Sequence, residues 1–117
     1  MAQAYFNLGV CKLKQEKKKD AGALLRKALN INPKFPAALL EMAELEFTEK
    51  RYRRTSSYLN RFREVARANP RSLWLGLRAS YFLGDKDAVS SYALKLEQLF
   101  PESEQTARYL ENQSSWQ

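Results

Sequence analysis

Apolar side chains recur along this chain with a helical rather than an alternating spacing. Phe6, Val10 and Leu13 fall on one helix face, and Leu39, Met42 and Glu46 share a face of another, at the three- and four-residue steps of an α-helix. No period-two strand pattern emerges anywhere. The spacing predicts helices at about 2–15, 18–31, 36–49, 52–68, 71–83 and 86–99. Turns are expected at Asn32-Pro33, Asn69-Pro70, Gly84-Asp85 and Phe100-Pro101, because proline withholds an amide donor and glycine accepts backbone angles that side chains resist. A last short helix at about 103–112 would start with Ser103 as its N-cap and offer Tyr109 and Leu110 as an apolar edge. Beyond Asn112 the chain is polar apart from Trp116 and is expected to fray.

The helices fall into pairs, and the pairs repeat. Leu8-Gly9, Ala21, Leu25, Ala28 and Pro33 return in weaker form through Met42-Ala43, Tyr52, Leu59 and Pro70, then through Leu75-Gly76, Gly84-Asp85, Ala88 and Pro101. A period of about 34 residues is that of the tetratricopeptide repeat, whose helical hairpins cannot bury an apolar face singly and therefore stack. In the first unit Gly9 and Ala21 sit where two helices cross closely, while Tyr5, Leu25 and Ala28 fill the wedge to the next hairpin. The second unit is looser. Thr55 and Phe62 replace two alanines, so its hairpin is expected to splay or shift, and its second helix to run about three residues long, to Pro70. The third unit needs a one-residue adjustment between Gly76 and Ala88. The expected fold is all-α: a right-handed tetratricopeptide superhelix of about three hairpins, over 2–35, 36–70 and 71–101, with a capping helix at about 103–112. Together these make one domain over residues 1–117.

Composition narrows the chemistry. The 117 residues are 44% hydrophobic, enough for a continuous stack core, with no apolar run of membrane-spanning length. Cys11 is the single cysteine, so neither an internal disulfide nor a zinc cluster is available. The preceding Leu8-Gly9-Val10 superficially suggests a lipoprotein cleavage box, but only ten residues stand before Cys11 and bulky Val10 occupies the small-residue position. A buried helix position is expected for Cys11, and the chain as given shows no export signal. Histidine is absent, which removes the usual general base and the commonest transition-metal ligand. No glycine-rich phosphate loop occurs. Glu41, Glu44 and Glu49 read as a solvated face pairing with Lys and Arg rather than as a catalytic acid pair. No enzyme, cofactor, metal or small-molecule substrate is expected.

Binding is the remaining class. In stacked repeats of this kind, positions 5, 9, 12 and 13 of each first helix face the concave groove. They are Phe6, Val10, Leu13 and Lys14, then Leu40, Glu44, Phe47 and Thr48, with Trp74, Arg78 and Tyr81 from the third repeat. The reading is an apolar, aromatic floor, with Phe6, Phe47 and Trp74 looking into one hollow. The same side chains could instead be core beneath neighbouring repeats. For Phe6 and Leu40 the two readings stand level, while an arginine beside two aromatics favours a wet groove for Trp74, Arg78 and Tyr81. The second feature is charge, formally +7. Lys17, Lys18 and Lys19 and then Lys50, Arg51, Arg53 and Arg54 occupy successive hairpin turns 33 residues apart, a basic edge that Asp85 and Asp87 interrupt. It is either two ordinary solvated turns or a surface for phosphates or anionic headgroups. A protein-interaction scaffold is therefore weighed against a nucleic-acid-binding helical repeat and a generic repeat adaptor.

Specific runs carry a resemblance. Asn32-Pro33-Lys34-Phe35-Pro36-Ala37-Ala38-Leu39-Leu40-Glu41-Met42-Ala43-Glu44-Leu45, Tyr58-Leu59-Asn60-Arg61-Phe62, Ser72-Leu73-Trp74-Leu75-Gly76-Leu77-Arg78, Ser91-Tyr92-Ala93-Leu94 and Leu99-Phe100-Pro101 resemble the C-terminal half of the type IV pilus pilotins, the PilF/PilW family. The resemblance covers nearly the whole chain. It implies an all-helical periplasmic lipoprotein of the outer membrane that binds the pilus secretin and supports its assembly. The family's signal peptide, lipid-bearing cysteine and upstream repeats have no counterpart here. The face of Tyr5, Leu8 and Cys11 is accordingly expected to lack cover and to promote self-association.

Overall fold

The computed structural model describes residues 1–113; the expectation for Trp116 lies outside the described residues. The expected helices form as α1 (Ala2–Lys14), α2 (Lys18–Ile31), α3 (Pro36–Thr48), α4 (Tyr52–Val65), α5 (Pro70–Phe82), α6 (Lys86–Leu99) and α7 (Glu104–Glu111). No strand occurs among the described residues, and no described helix is long and apolar enough to cross a membrane. First helices start at Ala2, Pro36 and Pro70 and second helices at Lys18, Tyr52 and Lys86, an offset of 34 residues at every step. The third repeat therefore needs no adjustment: its true counterparts of Gly9 and Ala21 are Leu77 and Val89, not Gly76 and Ala88.

The hairpin turns explain why the period holds. Glu16, Lys50 and Gly84 adopt left-handed backbone angles, with φ of 60°, 61° and 76°. Each is followed by the same closing bond, from Lys17 N to Lys12 O (2.9 Å), Arg51 N to Glu46 O (2.9 Å) and Asp85 N to Ser80 O (3.0 Å). These bonds occupy carbonyls that the ends of α1, α3 and α5 would otherwise leave open. Glycine makes this conformation free of steric cost only at position 84.

The chain divides into two compact units, Met1–Ala66 and the part from Arg67 onward. In the first, α1 pairs with α2, α3 with α4, and α2 packs on α3. Its core is Ala21, Leu25, Ala28, Leu39, Met42, Ala43 and Leu59. Gly9 is buried because a Cβ there would lie 3.0 Å from Leu25 Cγ and 3.5 Å from the Ala21 carbonyl oxygen. Cys11 is exposed, against expectation. It stands two residues, about 200° of helical rotation, from the Gly9 face that meets α2. Thr55 and Phe62 are both buried, and the Thr55 hydroxyl donates to the Arg51 carbonyl at 3.3 Å. Helix α4 ends at Val65 and does not run on toward Pro70. Ala66 is extended, and so is Asn69, as a residue before proline prefers; Asn69 forms a capping box with Ser72 at the start of α5.

In the second unit Leu73, Trp74, Leu77, Val89, Ala93 and Leu96 form the core, with Ala68, Tyr92, Phe100 and Tyr109 packed against it. Leu77 and Ala93 take the places that Gly9 and Leu25 hold in the first repeat. Large and small have changed sides of the crossing. One residue earlier, Gly76 makes room for Tyr92, whose Cζ lies 2.5 Å from where a Cβ would be. Helix α7 packs on α5 and α6. Ser103 is its N-cap, accepting from Thr106 N at 3.1 Å. The buried Thr106 hydroxyl lies 2.6 Å from the Phe100 carbonyl and 3.2 Å from that of Leu96, pinning the capping helix to the end of α6. Tyr109 packs on the core while Leu110 is half exposed.

Candidate functional site

Nine of the inner-face residues occupy equivalent places on α1, α3 and α5. Phe6, Leu40 and Trp74 are 34 residues apart, as are Val10, Glu44 and Arg78, and Leu13, Phe47 and Tyr81. Their environments differ. In the first unit Phe6, Val10, Leu13 and Phe47 are partly exposed. Phe6 rests on Phe35 with ring centroids 5.0 Å apart, and Phe47 meets Tyr52 edge-on at 5.4 Å. Leu40 is 6% exposed and belongs to the interior, which decides its ambiguity in favour of core.

In the second unit Trp74 is only 9% exposed and packs with Leu73, Leu77 and Leu96, so the expected open indole is a core side chain. A large ring gains more from this burial than a wet position would return. Arg78 lies along it, its guanidinium 5.3 Å from the ring centroid and its Nε donating to the Trp74 carbonyl at 3.4 Å. Tyr81 is 42% exposed and is followed by exposed Phe82 and Leu83 at the end of α5.

The basic edge separates into two groups. Lys18, Lys19, Arg51 and Arg54 converge on a cavity of about 620 Å³ in the first unit, while Lys17, Lys50 and Arg53 do not line it. Arg26, two helical turns beyond Lys19 on α2, joins the lining. Sequence reading missed it because it is isolated in the chain; only the helical period brings it to the lysines. The clusters also sit at helix N-termini, where the backbone dipole is already positive. Neither α2 nor α4 has a side-chain cap there, and the first turn of α4 carries no acid.

At the cavity floor lies a residue that sequence reading placed correctly on a helix face but gave no role. The Glu46 side chain is 4% exposed, between Arg51 Nη1 at 3.5 Å from Oε1 and Arg54 Nη1 at 3.6 Å from Oε2. Its Oε2 accepts no hydrogen bond. The signal was a glutamate in register with Leu39 and Met42. A buried carboxylate is tolerated only beside cations, and the following turn supplies two. Glu49 also lines the cavity. Among the described residues no group of three or more potential ligands is placed to hold a metal ion.

No protein-family model matches the chain. In sequence it is similar to the type IV pilus assembly protein PilF of Pseudomonas aeruginosa (strain PAO1), with 34% identity over 102 residues, 87% of this chain and 40% of that protein. A solved structure of Pseudomonas aeruginosa PilF superposes with a TM-score of 0.86 at 32% identity, over 94% of this chain and 50% of that one. A crystal structure of PilW, described as a widely conserved type IV pilus biogenesis factor, gives 0.83 at 28% identity, over 93% and 50%. The chain thus spans half or less of the length of these relatives.

Proposed function

The chain is a homologue of PilF, matching the C-terminal half of these tetratricopeptide pilus biogenesis proteins, and on that premise we propose that it is a non-catalytic protein-interaction scaffold of type IV pilus biogenesis. Its partner is a component of the pilus assembly, a secretin by the family resemblance, engaged at the periplasmic face of the outer membrane. The observation that carries this reading is the recurrence of partly exposed apolar side chains at equivalent places on the first helices. Phe6, Val10, Leu13 and Phe47 supply them in the first unit, and Tyr81 supplies one in the second. Leu40 lies buried beneath this face in the first unit, and in the second Trp74 lies buried with the Arg78 guanidinium 5.3 Å from its ring centroid. An apolar partner side chain fully buried at one such position contributes about 1.5–3 kcal/mol, so a few anchors suffice for specific binding.

The test is recovery of a secretin from an envelope extract by the immobilised chain, compared with a Leu13→Ala, Tyr81→Ala double variant. Both positions are accessible, so truncation leaves the cores intact, unlike truncation of Trp74. Loss of both contacts should weaken binding by roughly 3 kcal/mol, more than a hundredfold. Equal recovery by the two proteins, or none by the native chain, would refute the proposal.

A further inference from the structure

The first unit carries a concave surface, on the side of α2 and α4, that the inner-face reading leaves unused. Beside the cavity of about 620 Å³ lie two more, of about 400 and 280 Å³. Arg26 lines all three, Arg54 and Glu46 line the first and the smallest, and Tyr58 and Arg61 line the two smaller ones. They form one shallow trough along two helices. From Lys18 to Asn30 it follows α2 for about 18 Å at 1.5 Å per residue, which matches five or six residues of extended chain at about 3.3 Å each.

We propose that this trough binds an extended, acidic segment of a partner protein. Its rim is cationic apart from Glu49, and several of the cations have no internal use. Lys18, Lys19 and Arg26 make no side-chain hydrogen bond or ion pair among the described residues, and the positive ends of α2 and α4 add to their field. Three residues are committed in part: Arg61 donates to the Pro33 carbonyl at 3.1 Å and lies 5.5 Å from the Tyr58 ring centroid, while Arg51 and Arg54 hold Glu46 at distances too long for strong pairing.

Glu46 separates a peptide from a phosphate ligand. A nucleic-acid strand or lipid headgroup brings mainly acceptors and would meet a fixed carboxylate at the floor. A peptide brings both kinds of group. Its carboxylates draw Arg54 and Arg26 outward, and a backbone N–H donates to Glu46 Oε2, the buried acceptor that no hydrogen bond satisfies. The small apolar floor at Gly22 and Leu45 suits a narrow backbone rather than a stacked base.

Fluorescence anisotropy of a fluorescein-labelled six-residue peptide of alternating glutamate and serine, titrated with the whole chain at physiological salt, tests this. Saturable binding is expected. A Lys19→Glu, Arg26→Glu variant should weaken it at least about tenfold, whereas Lys17→Glu, Arg53→Glu, the same charge change outside the trough, should alter it less than about threefold. Thermal melts verify that both variants remain folded. Equal losses in the two variants would reduce the effect to diffuse net charge and overturn the proposal. So would absence of saturable binding, or tighter binding of hexathymidylate or of phosphatidylglycerol vesicles than of the peptide. Retention of secretin binding by the Lys19→Glu, Arg26→Glu variant keeps this outcome separate from the inner-face reading.

Discussion

Replacing Gly76 by alanine should destabilise the chain, although glycine-to-alanine changes inside helices ordinarily do the opposite. Alanine is favoured over glycine by about 1 kcal/mol in a helix interior. At this site the new methyl would sit 2.5, 2.6 and 2.9 Å from Tyr92 Cζ, Cε1 and Oη, distances that real contacts do not reach. Either α5 and α6 separate locally or the ring swings off the core it packs against. Overpacking of this kind costs about 1–3 kcal/mol, so the net loss should fall between nothing and about 2 kcal/mol. The diagnostic quantity is the sign in a second background. With Tyr92→Ala already in place the obstruction is gone, and Gly76→Ala should then stabilise by up to about 1 kcal/mol. Urea denaturation followed by circular dichroism gives all four free energies of the cycle. If Gly76→Ala stabilises equally with and without the Tyr92 ring, the close approach is not what requires glycine there.

Thr106→Val preserves shape but removes the hydroxyl that bonds the Phe100 and Leu96 carbonyls, and should cost about 1 kcal/mol in urea unfolding, with Thr106→Ser closer to the native value. Burial, and after it the Glu97 carboxylate, holds the Tyr109 phenol above its usual 10.0. The neutral form is favoured in the folded state, so the contribution is intact below pH 10 and is lost as pH rises through the folded value. Alkaline melts of Tyr109→Phe should accordingly lose less stability than the native chain; parallel curves would show that the phenol is not responsible.

Much of the fold is legible in residue types alone. Pro36 and Pro70 each occupy the first turn of a helix, Ser103 caps α7, and Gly84 takes the left-handed turn, all as their chemistry requires. The register of the third repeat was harder, because Leu75-Gly76 imitates Leu8-Gly9 one position out of phase. The glycine there answers to Tyr92 rather than to the crossing. The left-handed Glu16 and Lys50 carry no signal of their own, since the closing bonds of the turn impose that conformation.

The candidate surfaces were legible to different depths. Periodicity assigned the inner-face residues to equivalent helix positions. It does not say what packs on each, and so it left Trp74 open where the structure buries it in one core cluster with five other side chains. The basic trough was half visible: a run of lysines reads directly, Arg26 joins it once α2 winds into a helix, and the buried Glu46 becomes its neighbour only after α2 and α3 pack together.

The exchange of Gly9 and Leu25 for Leu77 and Ala93 makes the first and third helix pairs differently matched couples. Grafting α5 onto α2 would drive a leucine into Leu25, whose Cγ would lie only 3.0 Å from even a Cβ added at Gly9. Grafting α1 onto α6 would leave glycine facing alanine across a void. Exchange between the first and third repeats should therefore succeed for whole hairpins and fail for single helices.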